Sequence, residues 1–212
     1  MDLETYLVTG AALSPGRTTV EVVEAALAGG IDVVQLREKA ASARDRHEVG
    51  QTVRELTAAA DVPLIVNDRV DLAAALDADG VHLGDDDLPV AIAREQLGTD
   101  AVIGRSVSFV DDARRAQKAG ADYLGVGAVY ATGSKDDIDD DEHEIGPDRV
   151  GDVVDAVDVP IVGIGGVTAD NAAPVVEAGA DGVAVITEIA AADDPEAATR
   201  RLGEAVERAR GN

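Results

Sequence analysis

One phrase is written four times along this chain, and it constrains the fold more than any other feature. Gly29-Gly30-Ile31-Asp32-Val33-Val34, Ala78-Asp79-Gly80-Val81-His82-Leu83, Ala119-Gly120-Ala121-Asp122-Tyr123-Leu124 and Ala178-Gly179-Ala180-Asp181-Gly182-Val183 share one plan. A glycine or small residue ends a helix, an aspartate makes the turn, and an apolar strand follows. With the apolar runs between them, the candidate strands are residues 5–9, 32–36, 63–66, 80–83, 101–104, 123–126, 160–163 and 182–186. They are short, rich in Val and Ile, and alternate little, as strands buried on both faces of a parallel sheet do. Helical patterns such as 20–27, 44–59 and 150–156 separate them.

Strands alternating with helices leave two architectures, a closed barrel or an open doubly wound sheet. The phrase precedes strands two, four, six and eight, which suits a barrel whose odd and even strands fill different interior layers. The first strand runs into Gly10-Ala11-Ala12-Leu13-Ser14-Pro15, without the G-x-G-x-x-G spacing of a dinucleotide-binding turn. The expectation is a (β/α)8 TIM barrel forming one catalytic domain over residues 1–212. That length fills one core and lies near the lower limit for such a barrel. Aromatics make up 2% of the chain, so Val, Ile, Leu and Ala must build the core.

Local signals mark several helix starts. Ser108-Phe109-Val110-Asp111 reads as a capping box, and Asp194-Pro195-Glu196 as an N-cap followed by a proline in the first turn. Pro174 places the start of its helix near Asn171. Residues 133–146, which include Asp136-Asp137-Ile138-Asp139-Asp140-Asp141-Glu142, lack periodicity and read as a mobile acidic loop after strand six.

The charge balance excludes whole classes of partner. A net charge of −24 repels nucleic acid and anionic membrane. No apolar run is long enough to span a bilayer or to resemble a signal peptide, so a cytoplasmic enzyme acting on small molecules is expected. The acids are spread along the chain and lysine is nearly absent, as on the surface of a protein adapted to concentrated salt. The absence of cysteine rules out disulfides, thiolate chemistry and cysteine-bound zinc. A homo-oligomer remains open, because nothing in the sequence sets the oligomeric state.

Barrel chemistry belongs on the loops that follow the strands. The chain has three lysines, and two of them, Lys39 and Lys135, fall just after strands two and six. With Arg37, they place local positive charge where a polyanionic substrate would need it. Gly163-Ile164-Gly165-Gly166 follows strand seven and faces Thr187 after strand eight, the usual place for a phosphate on this scaffold. Residues 187–191 fit the short extra helix of such a site.

Asp68, after strand three and beside Asn67, is a candidate for Mg²⁺, which takes one or two carboxylates and leaves its other positions to water and phosphate. Within Asp85-Asp86-Asp87, composition and spacing single out no residue. His82, inside strand four, reads as a packed and hydrogen-bonded residue. His47 and His143 lie on a helix face and in the acidic loop, and histidine acid–base catalysis is not expected.

Five ordered segments carry a family resemblance across nearly the whole chain. They are Val34-Gln35-Leu36-Arg37-Glu38-Lys39, Val66-Asn67-Asp68-Arg69-Val70-Asp71-Leu72-Ala73, Ala78-Asp79-Gly80-Val81-His82-Leu83-Gly84, Gly127-Ala128-Val129-Tyr130-Ala131-Thr132-Gly133-Ser134-Lys135 and Pro160-Ile161-Val162-Gly163-Ile164-Gly165-Gly166-Val167-Thr168. Together they resemble the thiamine-phosphate synthases. The resemblance implies condensation of 4-amino-2-methyl-5-hydroxymethylpyrimidine diphosphate with 4-methyl-5-(2-phosphooxyethyl)thiazole. It also implies a dissociative path: pyrophosphate leaves first, and the thiazole nitrogen captures the pyrimidine carbocation.

Carried over by motif, substrate binding falls to the run Gln35, Leu36, Arg37, Glu38 and Lys39, with Asn67, Ser106, Thr132, Gly133, Ser134, Lys135, Gly166, Ile186 and Thr187. Within that set, Gln35 and Ser106 would contact the pyrimidine. Arg37, Lys39, Asn67 and Lys135 would hold the diphosphate, and Arg37, Lys39, Ser106 and Lys135 form the catalytic set. Thr132, Gly133 and Ser134 would reach the thiazole substrate, with Gly166, Ile186 and Thr187 on its phosphate. Asp68 and Asp87 would hold Mg²⁺, Asp87 being the last position of the family's Gly-Gln-Glu-Asp, here Gly84-Asp85-Asp86-Asp87.

Four further departures are Ser134 for a threonine, Thr187 for a serine, Ser108 for a usual histidine and Ala128 for a usual proline. Two other readings stand beside the synthase. A related thiazole-phosphate tautomerase would use a histidine near position 108 and lack the cationic clamps. A non-catalytic phosphate-ligand sensor would have little reason to keep metal, leaving-group and acceptor contacts together.

Overall fold

The strands pair in sequence order, and the eighth returns to the first, so the parallel sheet closes into a barrel. The structure, a computed structural model, describes residues 1–133 and 144–211. The strands are β1 (Thr5–Val8), β2 (Val33–Leu36), β3 (Leu64–Asn67), β4 (Gly80–Leu83), β5 (Val102–Val107), β6 (Tyr123–Val126), β7 (Ile161–Ile164) and β8 (Gly182–Val185). Closure excludes the open doubly wound sheet. β5 runs past the expected end at Gly104 because Ser106 and Val107 pair with Gly125 and Val126 of β6.

The repeated phrase has a structural job. The carboxylates of Asp32, Asp79, Asp122 and Asp181 accept the backbone N–H groups of Thr5, Leu64, Ile103 and Ile161 at 2.8, 2.8, 2.6 and 2.8 Å. Each aspartate returns its own N–H to the carbonyl of the same residue. The start of every odd strand is thus clamped to the even strand that follows it. Such a carboxylate satisfies a backbone donor that burial would otherwise leave costly. Arg54 and Arg94 reach in from the helices to pair with Asp79 and Asp122. These clamps lie at the rim where the strands begin, the stability face of this architecture.

Helices α1 (Thr19–Ala28), α2 (Ala43–Ala59), α3 (Val70–Ala75), α4 (Val90–Leu97), α5 (Val110–Lys118), α6 (Gly146–Val154), α7 (Ala173–Glu177), α8 (Thr187–Ala190) and α9 (Pro195–Arg210) surround the barrel. The larger apolar cluster fills the space between helices and strands. A smaller one, including Tyr6, Val8, Val33, Ile65, Tyr123 and Val162, fills the barrel itself. No helix among the described residues is long and apolar enough to cross a membrane.

Several local expectations are corrected. Ser108 caps nothing: α5 begins after Phe109 without a side-chain cap, and Ser108 Oγ donates to the Gly127 carbonyl at 2.8 Å. The helix expected near Asn171 begins at Ala173, and Asn171 is spent on the preceding loop. α6 spans Gly146–Val154 rather than 150–156, with Pro147 in its first turn, where a missing N–H costs nothing. A short 3-10 turn, Ala11–Leu13, follows β1 where no helix was expected. Asp194 caps α9 through Ala197 N–H, as its sequence predicts. The expectation of a mobile acidic loop falls largely outside the described residues.

Candidate active site

A cavity of about 280 Å³ opens where the strands end. Its walls gather residues that the sequence scatters over more than 150 positions. From β2, Gln35, Arg37 and Lys39 line it, while Leu36 and Glu38 do not. The alternation of a strand continued into its loop sends every second side chain the other way. Leu36 packs into the outer core. Glu38 is buried, and its carboxylate accepts hydrogen bonds from Thr9 Oγ1, Thr19 Oγ1 and Ala11 N–H at 2.9, 2.7 and 2.9 Å. It ties the loops after β1 and β2 together and so supports Arg37 and Lys39 from behind.

Asn67 and Asp68 line the cavity at the end of β3. Asp68 takes a left-handed backbone conformation, φ 64°, its N–H donating to the His82 carbonyl of the next strand. Aspartate tolerates that region better than most residues. After β4, Asp85 is held by Arg105 at 2.5 Å and Asp86 is exposed. Asp87 is half-buried, and its carboxylate accepts the Gly84 N–H at 2.6 Å.

Burial and the facing Asp87 carboxylate push Asp68 up to about 6, and the charges of Lys39 and Arg37 pull the other way. A carboxyl whose ionisation is opposed by burial and by a facing carboxylate, with cations beside it, forms a site that a divalent ion would relieve. The donors are hard oxygens, and among the described residues no group of three or more His, Cys, Asp or Glu side chains forms. That set suits Mg²⁺, which needs few protein ligands when water and phosphate oxygens complete its shell. The geometry separates Asp87 from its two acidic neighbours, which composition alone could not do.

On the opposite wall, Thr132, Gly166, Ile186 and Thr187 line the cavity, and Gly133 does not. Gly166 has φ 63°, and a Cβ there would sit 2.5 Å from the Ala131 carbonyl oxygen. Only glycine allows this loop to lie against the strand-six loop that carries Thr132. Asn171 fixes the same loop, accepting the Thr168 N–H at 2.7 Å and donating to the Gly166 carbonyl at 3.0 Å. Thr187 begins α8, the short helix expected from the sequence. Ser134 and Lys135 lie outside the described residues.

The cavity floor holds residues that sequence reasoning did not assign to the site. Tyr6, His82 and Tyr123 line it together with Ser106. His82 is hydrogen-bonded as expected, at 2.9 Å to both Tyr123 Oη and Ser106 Oγ, but it faces the cavity and not the outer core. The signal that could have found them is scarcity: of three tyrosines, two sit within strands of a barrel filled by aliphatic residues.

Comparison with known proteins places this geometry among relatives. The family described as thiamine monophosphate synthase matches residues 5–189. The thiamine-phosphate synthase of Haloarcula marismortui is 67% identical over 210 residues, covering 99% of this chain and 100% of that one. Its counterpart from Natronomonas pharaonis is 68% identical, covering 97% of this chain and 96% of that one. Among solved structures, thiamine phosphate pyrophosphorylase from Pyrococcus furiosus superposes with a TM-score of 0.89 at 41% identity, covering 98% and 97% of the two chains.

Proposed function

The chain belongs to the thiamine monophosphate synthase family, and from that membership we propose how its rim divides the work. It is a transferase of thiamine biosynthesis with a (β/α)8 fold. In our reading the whole chain acts as one catalytic unit, and its substrates are the pyrimidine diphosphate and the thiazole phosphate. The tautomerase and sensor readings find no support, since relatives at 67% and 68% identity carry the synthase's name.

The diphosphate belongs to the strand-end loops of β2, β3 and β4, with Lys135 from the loop after β6. Arg37 and Lys39 meet its charge, Asn67 donates hydrogen bonds, and Asp68 and Asp87 hold Mg²⁺. When bound, the ion would neutralise charge on the departing pyrophosphate. Ser106 and Gln35 seat the pyrimidine above the barrel floor. The thiazole phosphate belongs to the other wall, with Gly166, Ile186 and Thr187 on its phosphate and Thr132, Gly133 and Ser134 along its body.

In the reaction, the bond between the pyrimidine methylene and the diphosphate oxygen breaks, and both electrons leave with pyrophosphate. The thiazole nitrogen lone pair then forms the new C–N bond. No protein nucleophile or strong base is required, and none is assigned. The chain's task is electrostatic and positional: cations hold the leaving group, and two separate anchors bring nitrogen and carbon into line.

The observation that carries this reading is the Asp68–Asp87 pair beside Arg37 and Lys39, across the cavity from Gly166 and Thr187. The dispersed acidity supports a setting of concentrated salt. The test follows thiamine phosphate production from both substrates with Mg²⁺ in high KCl. Asp68→Ala and Lys135→Ala should cut turnover far more than they weaken thiazole phosphate binding. Loss of thiazole phosphate affinity alone would overturn the assignment of roles.

A further inference from the structure

Beneath the cavity, five side chains form one continuous line of hydrogen bonds. Gln35 Nε2 donates to Tyr6 Oη at 2.8 Å, and Tyr6 Oη meets Tyr123 Oη at 2.8 Å. Tyr123 Oη meets His82 Nδ1 at 2.9 Å, and His82 Nε2 meets Ser106 Oγ at 2.9 Å. Gln35, Tyr6 and Tyr123 are buried, so a hydroxyl proton left without an acceptor there would be costly. Burial pushes both tyrosine hydroxyls up from their ordinary values, which keeps both protons in place. The barrel makes room for the line: a Cβ at Gly104 would sit 2.2 Å from Tyr123 Cζ and 2.5 Å from His82 Nδ1.

Each hydroxyl has a single proton to give, so the direction of one bond sets the next. With the Gln35 amide donating, Tyr6 must spend its proton on Tyr123, and Tyr123 must spend its own on His82 Nδ1. His82 then carries its proton on Nε2 and donates to Ser106 Oγ. Because Ser106 and Gln35 both line the cavity, the Ser106 proton at one end of the line and the Gln35 oxygen at the other are left for a ligand.

We propose that this line is a polarity relay that fixes which edge of a heterocycle the pocket accepts. It presents an acceptor at Gln35 Oε1 and a donor at Ser106 Oγ. That pair complements an exocyclic amino group next to a bare ring nitrogen, and it rejects the 4-oxo edge, where donor and acceptor are exchanged. Tyr6, Tyr123 and His82 are positioning residues in this scheme, acting through Gln35 and Ser106. The inference rests on the pyrimidine assignment made above, but its internal part does not depend on any ligand.

The experiment has two readouts. Nitrogen-15 NMR of the ligand-free enzyme, with His82 assigned by comparison with His82→Gln, reports the imidazole tautomer. Kinetics with the 4-amino substrate and its 4-oxo analogue report edge selection. The relay predicts an Nε2–H tautomer for neutral His82 and discrimination of roughly 100-fold or more against the 4-oxo analogue. Tyr123→Phe keeps the ring and should mix the tautomers. It should also lose about tenfold of that discrimination, the value of one well-placed hydrogen bond, with the thiazole phosphate KM unchanged. Tyr6→Phe breaks the line one link earlier and should act alike if Tyr123→Phe folds poorly. An Nδ1–H tautomer, or full discrimination retained in either folded variant, overturns the relay. Wild-type enzyme with the Nε2–H tautomer but no thiamine phosphate production overturns the pyrimidine assignment and leaves the relay's internal direction intact.

Discussion

Replacing Asn171 by alanine should separate the two halves of the reaction. Its carboxamide makes two hydrogen bonds to the loop after β7, to Thr168 N–H at 2.7 Å and to the Gly166 carbonyl at 3.0 Å. Each such bond is worth about 0.5–1.5 kcal/mol net, so alanine removes about 1–3 kcal/mol of preference for the ordered loop. If that order is what the thiazole phosphate requires, its KM and its directly measured Kd should rise roughly 5- to 150-fold. The pyrimidine diphosphate KM and the Mg²⁺ requirement should change less than about twofold, because the residues proposed for them lie on other strands. Asn171→Asp keeps the acceptor for Thr168 and loses the donor to Gly166, so it should fall between. The assay is steady-state production of thiamine phosphate with each substrate varied against saturating partner, plus calorimetric binding of the thiazole phosphate. Equal rises in both KM values, or no change in either, would refute the idea that Asn171 preorganises an acceptor subsite.

Three further outcomes follow from the same geometry. Asp79→Ala strands the buried Leu64 N–H and should cost about 1–3 kcal/mol, read by chemical denaturation, while both KM values stay put. Asp68 is pushed up to about 6 from an ordinary 3.8, so between those values the folded, metal-free chain holds a proton that the unfolded chain has lost. The group's contribution to stability therefore falls as pH rises through that window. Mg²⁺ affinity, which needs the carboxylate bare, should weaken as pH drops below about 6. A calorimetric Mg²⁺ titration of the wild-type enzyme at several pH values checks the affinity, and Asp68→Asn should remove the stability term, read by chemical denaturation across the same pH values. Finally, the net charge of −24 predicts a melting temperature that climbs with KCl. A maximum in dilute buffer would contradict salt adaptation.

The parts of the molecule legible in the sequence are those governed by local chemistry. Asp32, Asp79, Asp122 and Asp181 announce four strand starts because turn and strand lie within a few residues of each other. The scarce lysine at position 39 points to the rim where the structure opens its cavity, because its charge has no other pattern to hide in. What the sequence conceals depends on direction and partnership. Leu36 and Glu38 travel with the Gln35–Lys39 motif, yet the strand turns them away from the cavity. Asp87 is one acid among three until its contact with Asp68 distinguishes it. Ser108 has the spacing of a helix cap, but the Gly127 carbonyl, just past the end of β6, takes its hydroxyl. Tyr6, His82 and Tyr123 look like core residues in the sequence, and only barrel closure shows that they share one floor.

The proposed division of the rim into a leaving-group site and an acceptor site is open to one direct measurement. Calorimetric titration of the enzyme with magnesium pyrophosphate should be performed without and with saturating thiazole phosphate. Two anchors on opposite walls predict that both ligands bind together, one of each per chain, and that Asp68→Asn abolishes binding of the pyrophosphate only. Mutual exclusion of the two ligands, or loss of both in Asp68→Asn, would contradict the account.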